Sequence, residues 1–378
     1  MLEESNTETE RMALRVIIRY AHLTSSAPTY RSIGKANIDG CTYSGPGGLD
    51  FCQHLVQSGG KVCVPTTLNS VSTDRRRWQA LGVPVDYAQA SIKLGDAYLA
   101  LRCQESFTCA PYRLPDHTPT LGDDICCGES NAVVYANSVL GARTEKYADY
   151  LDICCAIVGK VLAAGVHLDE NRLPQVVLDA TELLARLFHQ YTVDANLGSL
   201  FPVLGHLCGT LSDGKVPILL GFEAHASLVT KDHLKAFCAA FGTTGSSPLI
   251  HIAGVTPEAN DPEVSKGLVD NCSVIHKVSQ SQLEETFRLQ DHGGSESNDN
   301  SVHLVALGNP HYPFTNAGNW QSWCNRATTL SNVILMFESL LACHELCILR
   351  QRIVLRRRTL LSRTAKNASL TFGFLLRK

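Results

Sequence analysis

Four short stretches carry the side chains whose types and spacing could do chemistry. In E-S-F-T-C-A-P-Y at 105–112, Cys109 lies between an expected strand end and a proline-closed turn. A thiol there serves either as a small buried hydrophobe or as a metal ligand. In G-E-S-N at 128–131, Glu129, Ser130 and Asn131 bring a carboxylate, a hydroxyl and an amide into the first turn of a helix. That set suits proton transfer and the holding of a polar ligand, and it equally suits an N-cap whose acidic residue complements the helix dipole. P-T-T-L-N-S at 65–70 places hydroxyls and the Asn69 amide just past a strand, where ligands gather in open α/β sheets. S-G-P-G-G at 44–48 feeds a helix and either cradles an anion on backbone N–H groups or simply turns the chain.

Other chemistries lack their patterns. The glycine loop has neither the Lys-Ser/Thr of a P-loop nor G-x-G-x-x-G spacing, and there is no G-x-S-x-G, H-E-x-x-H or C-x-x-C. The histidines are scattered singly, which fits satisfied core or surface residues. Fifteen cysteines is an enriched and odd number in a chain whose first residues, M-L-E-E-S-N-T-E-T-E, are unlike a secretory signal. A disulfide framework is therefore not expected, and most of the thiols should be small buried hydrophobes.

The elements that must position these residues alternate. Helical patterns start at T-E-R-M-A-L-R-V-I-I-R-Y-A, around Leu49–Val56, at S-T-D-R-R-R-W-Q-A-L-G with Gly82 as its stop, and at D-Y-A-Q-A-S-I-K-L-G-D-A-Y-L-A-L. Strands are expected at K-V-C-V-P-T-T (61–67), ending at Pro65, and at E-S-F-T-C-A-P. Further along, the helical runs S-N-A-V-V-Y-A-N-S-V-L-G, D-Y-L-D-I-C-C-A-I-V-G, L-D-A-T-E-L-L-A-R-L-F, K-D-H-L-K-A-F-C-A-A-F and S-Q-L-E-E-T-F-R-L alternate with apolar strands. Those strands are V-P-I-L-L-G-F, P-L-I-H-I-A-G-V and S-V-H-L-V-A-L-G-N-P. Such alternation predicts an α/β protein with largely parallel sheets.

The composition, 44% hydrophobic and 18% charged with a net charge of −3, is that of an ordinary globular chain. It points to a cytoplasmic protein that engages neither nucleic acid through a basic surface nor a membrane through an apolar span. The polar run at 292–301 predicts an internal boundary, and the basic segment 316–378 reads as a tail outside the fold.

Taken together, these stretches resemble the large subunit, or large domain, of the aconitase X family. The resemblance is carried by I-D-G-C-T-Y-S-G-P-G-G-L-D-F, K-V-C-V-P-T-T-L-N-S, D-R-R-R-W-Q-A-L-G-V-P, F-T-C-A-P-Y, G-E-S-N-A-V-V-Y-A-N-S-V-L-G-A-R-T, H-I-A-G-V-T-P-E-A and L-G-N-P-H, in the family's order across residues 1–315. It implies an aconitase-like three-layer α/β/α fold and a hydro-lyase that dehydrates a small hydroxy acid. One branch of the family acts on cis-3-hydroxy-L-proline and the other on 5-phosphomevalonate. Asn309, and the A-P-Y form of the cysteine motif, lean towards the hydroxyproline branch. The resemblance further implies an iron–sulfur cluster with Cys109 as a ligand, and a substrate pocket lined by Gly48, Leu49, Asn69, Ser70 and Asn131. Glu129 and Ser130 become the candidate catalytic residues, and a small swivelling subunit or fused domain the expected partner.

The chemistry explains such a site. Hydroxide is a poor leaving group, and iron with an open position binds it as a Lewis acid, while a base removes a weakly acidic proton and donors hold the substrate's charge. Two positions and one segment depart from the pattern the resemblance implies: Asn37 stands in place of a histidine, Cys127 in place of a tryptophan, and the C-terminal T-D-T-C segment is absent. A non-catalytic, partner-binding relative of these enzymes is the alternative from a different class.

Overall fold

In the first half of the chain, strands of two or three residues are covered by longer helices that bury one side against them. The computed structural model describes residues 7–24, 28–190, 197–290, 304–307 and 334–337. The elements run α1 (Glu8–Thr24), β1 (Tyr30–Ser32), β2 (Ala36–Ile38), α2 (Pro46–Gln57), β3 (Thr66–Leu68), α3 (Val85–Ala100), β4 (Cys126–Cys127), α4 (Ser130–Ser138), α5 (Leu151–Val158) and β5 (Lys160–Leu162). β2 is the centre of a three-stranded parallel sheet in the order β3-β2-β4, and β1 pairs antiparallel with β5. Ile17, Ile38, Leu55, Leu68, Leu94, Tyr98 and Ile153 fill the core between that sheet and its helices.

A second core follows. Its elements are β6 (Val176–Asp179), α6 (Thr181–Gln190), α7 (Leu197–Ser212), β7 (Pro217–Leu220), α8 (Lys231–Thr244), β8 (His251–Ile252), α9 (Pro262–Asp270), β9 (Val274–Lys277) and α10 (Gln280–Gln290). The sheet order is β8-β7-β6-β9, parallel throughout. Beyond it, β10 (Leu304–Leu307) and β11 (Ile334–Phe337) form a parallel pair. The α/β architecture with parallel sheets is thus as expected. The boundary expected at 292–301 lies outside the described residues, as does the basic tail from 316 apart from β11.

α4 joins the two cores. Every residue from Asn131 to Ser138 is buried, the apolar ones in the second core and Asn137 through hydrogen bonds to Thr144 and the Pro248 carbonyl. Val133 and Val134 belong to the second core, where they share a cluster with Phe237 and Phe241 of α8. Gly242 makes the approach possible, because a Cβ there would lie 3.0 Å from the Ser130 carbonyl oxygen. The motif H-I-A-G-V-T-P-E-A finds its role at the same junction. Glu258 takes both forks of the buried Arg172 guanidinium, at 2.8 and 3.0 Å, and His251 Nε2 bonds the Arg172 carbonyl at 2.7 Å. Arg172 also donates to Asn137 of α4, so the ion pair ties the linker between the cores to the helix between them.

Three local expectations need correction. The strand expected at 61–67 begins where it was expected to end. Pro65 lacks an N–H, so Lys61–Val64 crosses as a link bonded to Leu101 and Ala156, and the ladder starts at Thr66. S-T-D-R-R-R-W-Q-A-L-G is a series of turns rather than a helix. Asp74 does cap Arg76 and Arg77, and Gly82 does stop the segment at φ 68°, but only isolated turn bonds form between them. E-S-F-T-C-A-P is irregular after one bridge at Gln104. There the Ser106 hydroxyl bonds both the N–H and the carbonyl of Leu68, at 2.7 and 3.1 Å, taking the place of a ladder partner, and Phe107 turns the chain at φ 41°.

Candidate functional site

The three parallel strands of the first sheet deliver their polar residues at the same end. Asp39 follows β2, Asn69 and Ser70 follow β3, and Gly128 and Glu129 follow β4. Because β2 is central, Asp39 stands between the other two. The Asn69 N–H is fixed on the Ile38 carbonyl at 2.9 Å, and the Gly128 N–H on that of Asn37 at 3.3 Å. Carboxyl ends of parallel strands are where α/β sheets bind ligands, since the side chains converge there without belonging to the ladder.

The Asn69 amide nitrogen donates to Glu129 Oε2 at 2.7 Å and also to Asp39 Oδ1. Its Oδ1 accepts the Ser70 N–H at 2.7 Å. Glu129 is the N-cap of α4 and accepts the Asn131 N–H and the Ser130 hydroxyl, each at 3.4 Å. The Ser70 hydroxyl and the Cys109 thiol lie 2.9 Å apart. Six of the expected residues, Asn69, Ser70, Cys109, Glu129, Ser130 and Asn131, therefore form one linked group. Gly48 and Leu49 are not hydrogen-bonded into it among the described residues; they lie in the first turn of α2, where Gly48 faces Tyr150 so closely that a Cβ would lie 1.8 Å from its hydroxyl. Asn131 is 4% exposed and its Oδ1 has no hydrogen-bond partner among the described residues, so a buried acceptor is left for a ligand's N–H or O–H.

Two carboxyl groups absent from the sequence reading belong here. Burial, and then the charges of Glu129 and Asp149, push the Asp39 carboxyl up to about 6, against the opposing Asn69 hydrogen bond. Asp152, fully buried at the start of α5, accepts the Asp39 N–H at 2.7 Å and the Ile153 N–H at 2.6 Å. Burial raises it to about 7 despite those bonds. Gly128 completes the fit, since a Cβ would lie 2.7 Å from Asp39 Cβ and 3.1 Å from Asp152 Oδ2. The D in I-D-G-C was in plain view, but only the strand order shows that it faces Glu129. Asn37, at the family's histidine position, is buried within β2 and bonds Thr67 at 3.0 Å, with the Cys127 thiol 3.8 Å from its Oδ1.

The described thiols are mostly buried hydrophobes, as expected, with Cys63 exposed and Cys109 and Cys272 partly buried. Burial, the dominant effect, pushes the Cys109 thiol up to about 11; the Ser70 hydrogen bond opposes this and the Glu129 charge adds to it. Iron–sulfur clusters are held by several thiolates. Among the described residues no three His, Cys, Asp or Glu side chains converge to hold a metal. Cys109 alone does not make a cluster site, and further ligands would have to come from residues other than those described.

Comparison with known proteins agrees with this geometry. The sequence model of the aconitase X first domain matches residues 1–170, and that of the aconitase X second domain matches 174–288. A cis-3-hydroxy-L-proline dehydratase of Pseudomonas aeruginosa is 40% identical over 339 residues, 90% of this chain and 55% of that protein. A phosphomevalonate dehydratase large subunit of Methanosarcina mazei is 32% identical over 314 residues, 80% of this chain and 69% of that one. The crystal structure of Thermococcus kodakaraensis aconitase X in its holo-form superposes with a TM-score of 0.67 at 23% identity, covering 89% of this chain and 85% of the other, which shows the shared fold. The chain spans about half the length of the hydroxyproline dehydratases it matches. Two domain matches in sequence order, together covering most of the chain, place it: the protein belongs to the aconitase X family.

Proposed function

We propose that this chain forms the large part of a hydro-lyase that dehydrates a small cyclic hydroxy amino acid, cis-3-hydroxy-L-proline, with 5-phosphomevalonate as the second candidate. The supporting observation is the sign of the site. The charges acting on Asp39 are the carboxylates Glu129 and Asp149. A phosphate monoester, carrying close to two negative charges, would be repelled by that group, whereas the ammonium of an amino acid would be attracted to it. The unpartnered Asn131 Oδ1 is an acceptor suited to such an N–H.

In this reading Glu129 takes the proton from the carbon next to the carboxylate, with its orientation set by Asn69, the Asn131 N–H and Ser130. Asn69 and Ser70 hold the substrate's polar groups, and the first turn of α2, at Gly48 and Leu49, presents backbone N–H groups to its carboxylate. Isothermal titration of the full chain tests the substrate class. Cis-3-hydroxy-L-proline should bind, and Asn131→Ala should weaken it about tenfold, the loss of one hydrogen bond to a charged group. Preference for 5-phosphomevalonate would overturn the assignment.

Iron–sulfur dependence and a small swivelling partner, separate or fused, complete the proposal. The large-subunit name of the archaeal relatives supports the partner. Cys109 would be the ligand from the described residues, and a bound cluster would supply Lewis-acid chemistry for a leaving hydroxyl. Iron and sulfide analysis after anaerobic reconstitution should find a cluster that Cys109→Ser loses; iron unaffected by that change would remove Cys109 from the ligand set.

A further inference from the structure

We propose that Asp39 is a further catalytic residue, a second carboxyl group set against Glu129 across the Asn69 amide, and that Asp152 is its positioning residue. This rests on the dehydratase reading and adds to it a proton donor for the departing hydroxyl. The geometry is specific. One amide nitrogen, Asn69 Nδ2, carries two hydrogens, and the two carboxyl groups each accept from it. Two carboxylates held this close are most stable with one proton between them, because the second charge would sit against the first. The groups acting on Asp39 are Glu129 at the start of α4 and Asp149 just before α5, and Asp39 in turn acts on Asp152 in the first turn of α5 and on the Cys41, Cys109 and Cys127 thiols. Both groups acting on Asp39 are acidic, so they favour a proton on the pair.

Independent features hold this arrangement. Asp152 is fully buried, and its carboxylate spans the Asp39 N–H and the Ile153 N–H, locking the end of β2 to the first turn of α5. Gly128 leaves room for both aspartates where any side chain would strike them. Asn131, bonded through its N–H to Glu129, brings the unpartnered Oδ1 to the same helix turn and marks the place as one built for a ligand.

The chemistry balances with these two groups. Glu129 takes the proton from carbon, and the C–H electron pair becomes the new double bond. The C–O bond breaks, its electron pair leaves on oxygen, and Asp39 gives that oxygen its proton, so that water departs. Solvent then takes the proton from Glu129 and returns one to Asp39. A pair in opposite protonation states performs both halves of the elimination, the division of labour that separates an acid from a base of the same residue type.

The test is a carbon-13 titration of the aspartate carboxyls in the full chain, with Asp39→Asn identifying the signal, run beside turnover. The Asp39 signal should titrate near 6 and move down by about one pH unit or more in Glu129→Gln. It should also move in Asp152→Asn, a readout that a purely structural role for Asp152 would leave alone. In turnover, Asp39→Asn should lower kcat about 100-fold or more with little change in KM. An Asp39 midpoint indifferent to Glu129→Gln overturns the pair, and unchanged kcat in Asp39→Asn overturns its catalytic role. A wild-type chain that turns over neither substrate overturns the dehydratase reading instead, and the titration alone then decides whether the pair exists.

Discussion

Asp39 and Asp152 hold protons at a pH where an exposed aspartate holds none, and this reverses the usual link between carboxylates and stability. The unfolded chain releases these protons at about pH 4, whereas the folded chain keeps them until about 6 and about 7. Between those limits the folded state binds more protons than the unfolded state, so stability is greatest at the acid end and falls as pH rises. His117, His167, His233 and His251, lowered by burial, act in the opposite sense over this range, so the fall is read as the wild type minus Asp152→Asn in denaturant melts from pH 4.5 to 8; a difference that is flat or rises with pH would contradict it. At this scale the sequence was only partly legible. Glu129, Asn69 and Cys109 stood out because a family motif surrounded each. Asp39 and Asp152 did not, since their significance comes from burial and from a neighbour more than a hundred positions away.

Elements decide whether those residues meet. α4 must begin beneath Glu129 and pack its length on α8, and the tolerance at the crossing is that of a single methyl group. Gly242→Ala would place a Cβ 3.0 Å from the Ser130 carbonyl oxygen, which is backbone and cannot swing away, whereas at Gly47 nothing lies within 4 Å. We expect Gly242→Ala to cost about 1–3 kcal/mol in a denaturant melt and to disturb the start of α4, with Gly47→Ala within about 0.5 kcal/mol of the wild type. Equal stabilities for the two variants would refute this crossing. Helices proved the easiest elements to read, because α1, α3, α8 and α10 each carry a 3.6-residue pattern over several turns. Strands of two to four residues, such as β2 and β4, are too short for a period to show, and β6 was absorbed into the helical run that follows it. Segment 105–111 looked like a strand by composition, but the Ser106 hydroxyl competed for the Leu68 backbone and won.

On the scale of the whole molecule, two parallel-sheet cores are tied together by α4 and by the Arg172–Glu258 pair, and the site lies at the start of α4, with Arg172 bonded near that helix's other end. The family was legible in the order of its motifs; the junction was not, because Arg172, Asn137 and Glu258 meet only in three dimensions. Since the chain spans about half of the hydroxyproline dehydratases it matches, the central claim concerns what this half can do with its substrate. An anaerobic dehydration assay of the full-length chain with cis-3-hydroxy-L-proline, comparing the wild type with Glu129→Gln, asks that question most directly. With the chain reconstituted with iron and sulfide and supplied with the small swivelling part of a hydroxyproline dehydratase, the account predicts turnover in the wild type and a loss of about 100-fold or more in the variant; no turnover of hydroxyproline by that reconstituted wild type, or equal rates in the two proteins, would contradict it.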